Sequence, residues 1–245
     1  MELHLDLETI PTRRLDVMSD ISDSITAETK AAIDAVKPPS NYKAATQEKW
    51  WDEVGTAKLA ELRNGSQALV ESAVRKTSLS GNFGNICVIG WAFDDEDAQY
   101  LASDKDEAAL LTEFHETLKA RLRPADGYLI RVVGHNVAAF DLRFFMQRSM
   151  VHGIKPHFAI SRAANAKPWE STIVFDTMLQ WAGIGNRIKL ETLCKALGVD
   201  SPKGELDGSK VWDWVRDGRI KEVGEYCMKD VAATRAVFKR MVYQT

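Results

Sequence analysis

Cysteine is scarce in this 245-residue chain, and the three present, Cys87, Cys194 and Cys227, are scattered and odd in number. That excludes a disulfide framework, and no pair has zinc-site spacing, so a reduced intracellular protein is expected. No apolar run approaches membrane-spanning length, which excludes a transmembrane helix. A core strand at the start is expected to leave no room for a cleaved leader, and a soluble cytoplasmic protein is expected. Excess positive charge is also lacking. The formal net charge of -3 argues against the broad electrostatic footprint of a repressor. No internal repeat or low-complexity tract stands out, and 45% hydrophobic content can bury one substantial core. One domain, residues 1 to 245, with an insertion is therefore expected rather than two domains.

What the chain does have is a set of acids in ordered surroundings. MELHLDLET alternates, with Leu3, Leu5 and Leu7 on one side and His4, Asp6 and Glu8 on the other, as a half-buried strand should. Two carboxylates from one strand face suit Mg²⁺ or Mn²⁺, hard cations that take oxygen ligands. Taken alone, the pair reads better as a solvated strand end. The apolar run YLIRVV breaks at Gly134 and resumes as an expected helix, AAFDLRFFMQRSMV, with Asp141 in its first turns. A cap role there is ordinary. Phe144 and Phe145 share its side of the helix, however, so the carboxylate leans toward an apolar surface and needs a cation or hydrogen-bond partner. In the last helix, Ile220, Val223, Cys227, Val231, Thr234, Phe238 and Met241 form a core-facing stripe. Tyr226 and Asp230, four apart, stack at its flank. Cys227, on the stripe, reads as a small core residue.

The order Asp-x-Glu, Asn-x4-Asp, Tyr-x3-Asp resembles the 3′-5′ exonuclease superfamily named for four acidic residues, in its tyrosine (DEDDy) subclass. HNVAAFDLRFF is most similar to predicted exonucleases related to the proofreading domain of family B DNA polymerases, and IKLETLCKALGV with GELDGSKVWDWVRDG resembles the segment before their third motif. The resemblance implies a two-metal phosphodiesterase, with cations about 4 Å apart bracketing the scissile phosphate. It implies that Asp6 bridges both metals, that Glu8 and Asp230 complete the site of the attacking water, and that Asp141 acts through water ligands. Tyr226 would orient the water, because a phenol of pKa near 10 is a poor base at neutral pH. Thr9 and Asn136 would contact the terminal nucleotide, and a nucleoside 5′-monophosphate would leave from the 3′ end.

The expected strands are residues 2 to 8, GNICVIGWAF, AQYLAS, YLIRVV and TIVFD, the first three as an antiparallel meander. A helix is expected over DEAALLTEFHETLKARL, and the C-terminal third is expected to be helical. The fold class is a ribonuclease-H-like α/β domain with a mixed five-stranded sheet flanked by helices. Between the first two strands lies a helical insertion of about residues 13 to 80, far beyond usual loop lengths, with a Pro-Pro break. It is expected to wall the substrate groove. Trp50 and Trp51 are expected chiefly to anchor it, with stacking on unpaired bases as a second reading, and Arg13 and Arg14 could meet phosphates.

His4 is expected to be structural. His135 could donate near the terminal sugar, though Asn136 is the better candidate. His152 and His157, flanking Gly153 and Pro156, are expected in a loop, and Asp176 to cap the next helix. Lys189, Lys203 and Lys210 lie in the segment before the third motif, where backbone phosphates could pass, and a solvated face explains them equally well. Trp91, Trp212 and Trp214 are expected to be packing anchors. The substrate is expected to be single-stranded DNA or a frayed 3′ end. An exoribonuclease trimming RNA ends and a non-catalytic nucleic-acid-binding module are the alternatives. Any proofreading role would need a polymerase, replication or repair partner in trans, and no membrane partner is expected.

Overall fold

The computed structural model describes residues 1–123, 129–201 and 207–244. Its sheet has five strands in the order β3-β2-β1-β4-β5: β1 Glu2–Ile10, β2 Asn85–Phe93, β3 Gln99–Ala102, β4 Arg131–Gly134 and β5 Val174–Asp176. β1 pairs antiparallel with β2, and β2 with β3, which is the expected meander. β1 also pairs parallel with β4, and β4 with β5. Helices α4 (Glu107–Arg121), α5 (Asp141–Val151), α6 (Phe158–Ala164), α7 (Thr177–Ala182), α8 (Leu190–Leu197), α9 (Val211–Arg216) and α10 (Ile220–Met241) accompany it. This is the ribonuclease-H-like α/β arrangement. None of the described helices is long and apolar enough to cross a membrane.

Alternation along β1 sorts the two faces. Leu3, Leu5 and Leu7 join Ile86, Ile89, Trp91, Phe114, Leu142 and Phe145 in the larger core cluster, while Ile10 joins Cys87, Val88, Val223 and Cys227 on the other. β2 breaks strict alternation: Glu8 pairs with Val88 but Thr9 with Ile86, so Cys87 is an extra residue. Such a bulge turns two adjacent side chains to one face. Cys87 and Val88 therefore both face the α10 side, and Ile86 and Ile89 both face the larger core.

Two departures from the expected helix and strand limits have clear causes. α5 starts at Asp141 rather than Ala138, because the N–H groups of Asn136 and Ala138 donate to Asp176 at 2.9 and 3.0 Å and hold the segment in turns. β4 runs from Arg131 to Gly134, and Tyr128 of YLIRVV lies outside the described residues. A Cβ on Gly134 would stand 2.4 Å from Val137 Cβ and 2.9 Å from the Leu5 carbonyl oxygen, so only glycine fits that tight exit from the sheet.

A buried ion pair fastens the chain where β2 begins. Arg148 Nε donates to Glu107 Oε1 at 3.0 Å and Nη2 to Oε2 at 2.6 Å, with both side chains under a tenth exposed. Glu107 Oε1 also accepts the Ile86 N–H at 2.7 Å, and Arg148 Nη1 donates to the Gly81 carbonyl at 3.2 Å. His152, the C-cap of α5, stands with Nε2 at 2.7 Å from Glu107 Oε2, and His157 caps α6 by accepting the Ala159 N–H. With both carboxylate oxygens and the guanidinium so engaged, this pair meets the condition under which a buried ion pair is tolerated.

The chain divides into two compact units, one of residues Met1–Ile10 with Ser80–Thr245, the other Pro11–Leu79. The second contains α1 (Leu15–Asp34), α2 (Ala44–Trp50) and α3 (Thr56–Lys76), with a π-helical turn at Trp51–Gly55. α1 packs on α3, and the Thr12 N–H donates to Thr77 Oγ1 at 2.8 Å, joining the unit's ends. Trp50 and Trp51 meet edge to face at 5.1 Å, and a Cβ on Gly55 would strike both rings, so the tryptophans close on their own unit.

Candidate active site

β1 delivers Asp6 and Glu8 to one face, and α10 crosses that face with Tyr226, Cys227 and Asp230. Close approach depends on Gly90, the partner of Asp6 in the ladder: a Cβ there would lie 2.6 Å from Cys227 Sγ and 3.3 Å from Val231 Cγ2. Cys227 is fully buried, its thiol donating to Asp6 Oδ2 at 3.2 Å. Ligand atoms of Asp6, Glu8 and Cys227 all lie within 4.8 Å of one another. Asp141 and Asp230 are outside that tightest group but close enough that their charges act on both Asp6 and Glu8.

Burial, then the charges of Asp141, Glu8 and Asp230, hold the Asp6 carboxyl well above the usual carboxylate range. Burial and then Asp230 and Asp141 do the same to Glu8. Burial pushes Asp230 up to about 6, opposed by the hydrogen bond it accepts from the Tyr226 hydroxyl. Tyr226 itself is pushed up by burial and by the charges of Asp230 and Glu8, so it stays a phenol and a donor. Burial, with the carboxylates of Asp6 and Glu8, likewise keeps Cys227 a thiol. Carboxylates so placed resist ionising together.

Asp141 opens α5, only 4% exposed, with Oδ1 accepting the Leu7 N–H at 2.9 Å. This bond ties the second motif to the strand carrying the first. Burial pushes Asp141 up to about 7 against that bond and its own N–H. Asn136, in the left-handed region at φ 64°, hands its N–H to Asp176, which also caps α7 through the N–H groups of Met178 and Leu179. Asp176 is thus the helix cap that its strand-end position suggested.

Thr9 continues β1 with its side chain, by alternation, on the face opposite Asp6 and Glu8. His4 is buried, edge-on to Phe238 at 5.8 Å, and burial lowers it to about 4, a structural setting. His135 has Nδ1 at 2.9 Å from Thr177 Oγ1 and Nε2 at 2.9 Å from the Ile188 carbonyl, so both nitrogens are engaged by protein. Trp91 is core, Trp212 and Trp214 pack against the smaller cluster, and Trp214 carries the Arg219 guanidinium at 3.6 Å. Lys189 flanks α8, Lys210 flanks α9, and Lys203 lies outside the described residues.

Cys227 is the residue whose part sequence reasoning missed. The stripe marked it correctly as buried, but only the glycine gap at position 90 lets its sulfur reach Asp6.

The donor set fits divalent cations. Asp230 Oδ1 is buried with no hydrogen-bond partner, an arrangement that costs more for a charged acceptor than for a neutral one, and the crowded carboxylates need compensating positive charge. A thiol beside Asp6 leaves the set dominated by oxygen.

An uncharacterised protein of Methanocaldococcus jannaschii, MJ0365, is 25% identical over 179 residues, spanning 69% of this chain and 92% of that protein. A family model described as a predicted 3′-5′ exonuclease related to the exonuclease domain of PolB matches residues 84–245. That match takes in Asp141, Tyr226 and Asp230, while the structure adds Asp6 and Glu8 by pairing β1 with β2. The chain therefore belongs to the family of predicted 3′-5′ exonucleases related to the exonuclease domain of PolB.

Proposed function

We propose that this protein is a two-metal exonuclease of the tyrosine subclass that removes nucleoside 5′-monophosphates from single-stranded or frayed 3′ ends of DNA. The observation that carries this reading is the meeting of Asp6 and Glu8 from β1 with Tyr226 and Asp230 from α10 in one buried acidic cluster, steadied by Asp141. Asp6, Glu8, Asp141 and Asp230 would hold Mg²⁺ or Mn²⁺. Bound there, the cations would supply Lewis acidity, activating water and offsetting charge on the scissile phosphate. Tyr226, held protonated with its proton donated to Asp230 in a hydrogen bond, positions the attacking water through its hydroxyl oxygen and takes no proton from it. The Cys227 thiol fixes the Asp6 carboxylate in one orientation. Asn136, beside the second motif, contacts the terminal nucleotide, and Thr9 can reach it only through its backbone. We take the whole chain as one exonuclease domain with Pro11–Leu79 as its insertion, acting in the cytoplasm, with any polymerase or repair partner supplied in trans.

The test is a gel assay of 5′-labelled single-stranded DNA and RNA with Mg²⁺ or Mn²⁺, beside a chelator control and Asp6→Ala. The expected result is a metal-dependent ladder shortening from the 3′ end, faster on DNA and absent in the variant. Faster shortening of RNA would make it an exoribonuclease. Intact strands with every metal would overturn catalysis, and retained binding would then indicate a non-catalytic module.

A further inference from the structure

An open cavity of about 430 Å³ lies along the segment that joins Asn136 to the start of α5. That volume is in the range of about 300 to 1,000 Å³ typical of ligand sites. Arg143, Lys167 and Arg187 line it, all three exposed, and none forms an ion pair among the described residues. Some other surface arginines are held in ion pairs, as Arg14 is with Asp16, Arg75 with Glu71, Arg216 with Asp213 and Arg219 with Glu222. The single acid of the lining, Asp176, has its oxygens covered by four backbone N–H groups. Small residues make up much of the rest of the lining: five alanines, with Gly183 and Gly185 in the left-handed region at φ 80° and 82°. Next to Lys167, Trp169 is 73% exposed, and the Lys167 ammonium lies 5.6 Å from its ring centre.

The chemistry of this lining fits a polyanion with flat apolar parts. Unpaired guanidiniums match phosphate oxygens in planar, bidentate fashion, small residues leave room for sugar and base, and an exposed indole offers a stacking face. The position selects a strand over a detached nucleotide. Asn136 lines the cavity, and Asp141, five residues on, is bonded to the strand that bears Asp6 and Glu8. A strand held here would lie beside the segment that runs from Asn136 to Asp141. In a protein of net charge -3, such a local basic lining can guide the strand without tight binding elsewhere.

We propose that this cavity is the subsite for the nucleotides just upstream of the terminal one, with Arg143, Lys167 and Arg187 meeting backbone phosphates and Trp169 stacking on an unpaired base. The inference rests on the exonuclease reading for where the strand ends. Its own content, single-strand binding at this cavity, is measurable without catalysis.

The test is fluorescence anisotropy of labelled single-stranded 8-mers, DNA and RNA, with the full chain in chelator, comparing wild type with Arg143→Ala/Arg187→Ala. Binding should weaken about ten-fold for whichever sugar is bound. The slope of log K against log salt should shrink by about 1.4, roughly 0.7 for each single-strand phosphate that the variant no longer neutralises. With Mn²⁺, hydrolysis of the p-nitrophenyl ester of thymidine 5′-monophosphate, which fills only the terminal position, should be unchanged. Unaltered affinity and salt slope, no binding by wild type, or an equal loss on the ester would each overturn the subsite. If wild type hydrolyses neither substrate and the variant still loses affinity, the subsite stands and the exonuclease reading falls.

Discussion

Adding one methyl group at Gly90 should disconnect the two halves of the acidic site. Gly90 pairs with Asp6, and a Cβ there would stand 2.6 Å from Cys227 Sγ. Comfortable contact needs roughly 3.5 to 4.0 Å, so Gly90→Ala is about 1 Å too close. Relief has two routes. The thiol can rotate away, which breaks its 3.2 Å contact with Asp6 Oδ2, or α10 can withdraw, which carries Tyr226 and Asp230 from Asp6 and Glu8. Overpacking of this kind costs about 1 to 3 kcal/mol, and a misplacement of about 1 Å at a reacting centre costs on the order of 10²-fold in rate. Gly90→Ala should therefore lower the urea midpoint modestly and slow cleavage of a 5′-labelled strand about a hundred-fold. The second substitution Cys227→Ala supplies the control. With sulfur removed, the nearest remaining atom to the new methyl is Val231 Cγ2 at 3.3 Å, so the double variant should regain stability and much of the rate. A Gly90→Ala protein with wild-type rate and stability would refute this packing argument, as would a double variant no better than the single one.

The site's charge makes a pH prediction. Asp141 is raised to about 7 and Asp230 to about 6 from 3.8, so the metal-free fold binds more protons than the unfolded chain. Their contribution is fully present below about pH 4 and is lost as pH rises through 6 to 7. In chelator the melting temperature should fall between pH 5 and 8, Mg²⁺ or Mn²⁺ should reverse the fall, and Asp141→Asn should flatten it; a flat wild-type profile would contradict the crowded-carboxylate account. Tyr226→Phe removes the hydroxyl that would orient the attacking water and should reduce kcat by roughly 10²-fold with little change in melting temperature, whereas an unchanged kcat would remove its positioning role. Arg148→Met leaves Glu107 buried and uncompensated, and should cost about 3 to 5 kcal/mol in urea unfolding. Arg148→Met/Glu107→Gln, which keeps an acceptor for the Ile86 N–H, should recover part of that loss; equal losses in the two variants would argue against a stranded charge.

The elements legible in the sequence are those whose signal is local and periodic. Alternation in β1 separates Leu3, Leu5 and Leu7 from Asp6 and Glu8, and the stripe from Ile220 to Met241 has the limits of α10. What escaped is set by contacts between distant segments. The bulge at Cys87 follows from the β1–β2 register, the thiol contact with Asp6 from a glycine on a different element, and the Glu107–Arg148 pair from the packing of α4 and α5. The same distinction explains why the family match begins at residue 84 although the first acidic pair lies at residues 6 and 8. The Pro11–Leu79 unit interrupts the chain between the first two strands, yet the ladder still pairs Ile10 with Asn85 and Glu8 with Val88. Because the flanking strands are zipped by backbone hydrogen bonds, whose geometry is indifferent to the length of chain between them, the cost of the interruption grows only slowly with its length. The positions of Asp6 and Glu8 are thus set by register with β2 and by the Leu7 bond to Asp141, and an insertion that scrambles sequence spacing leaves the site's geometry untouched.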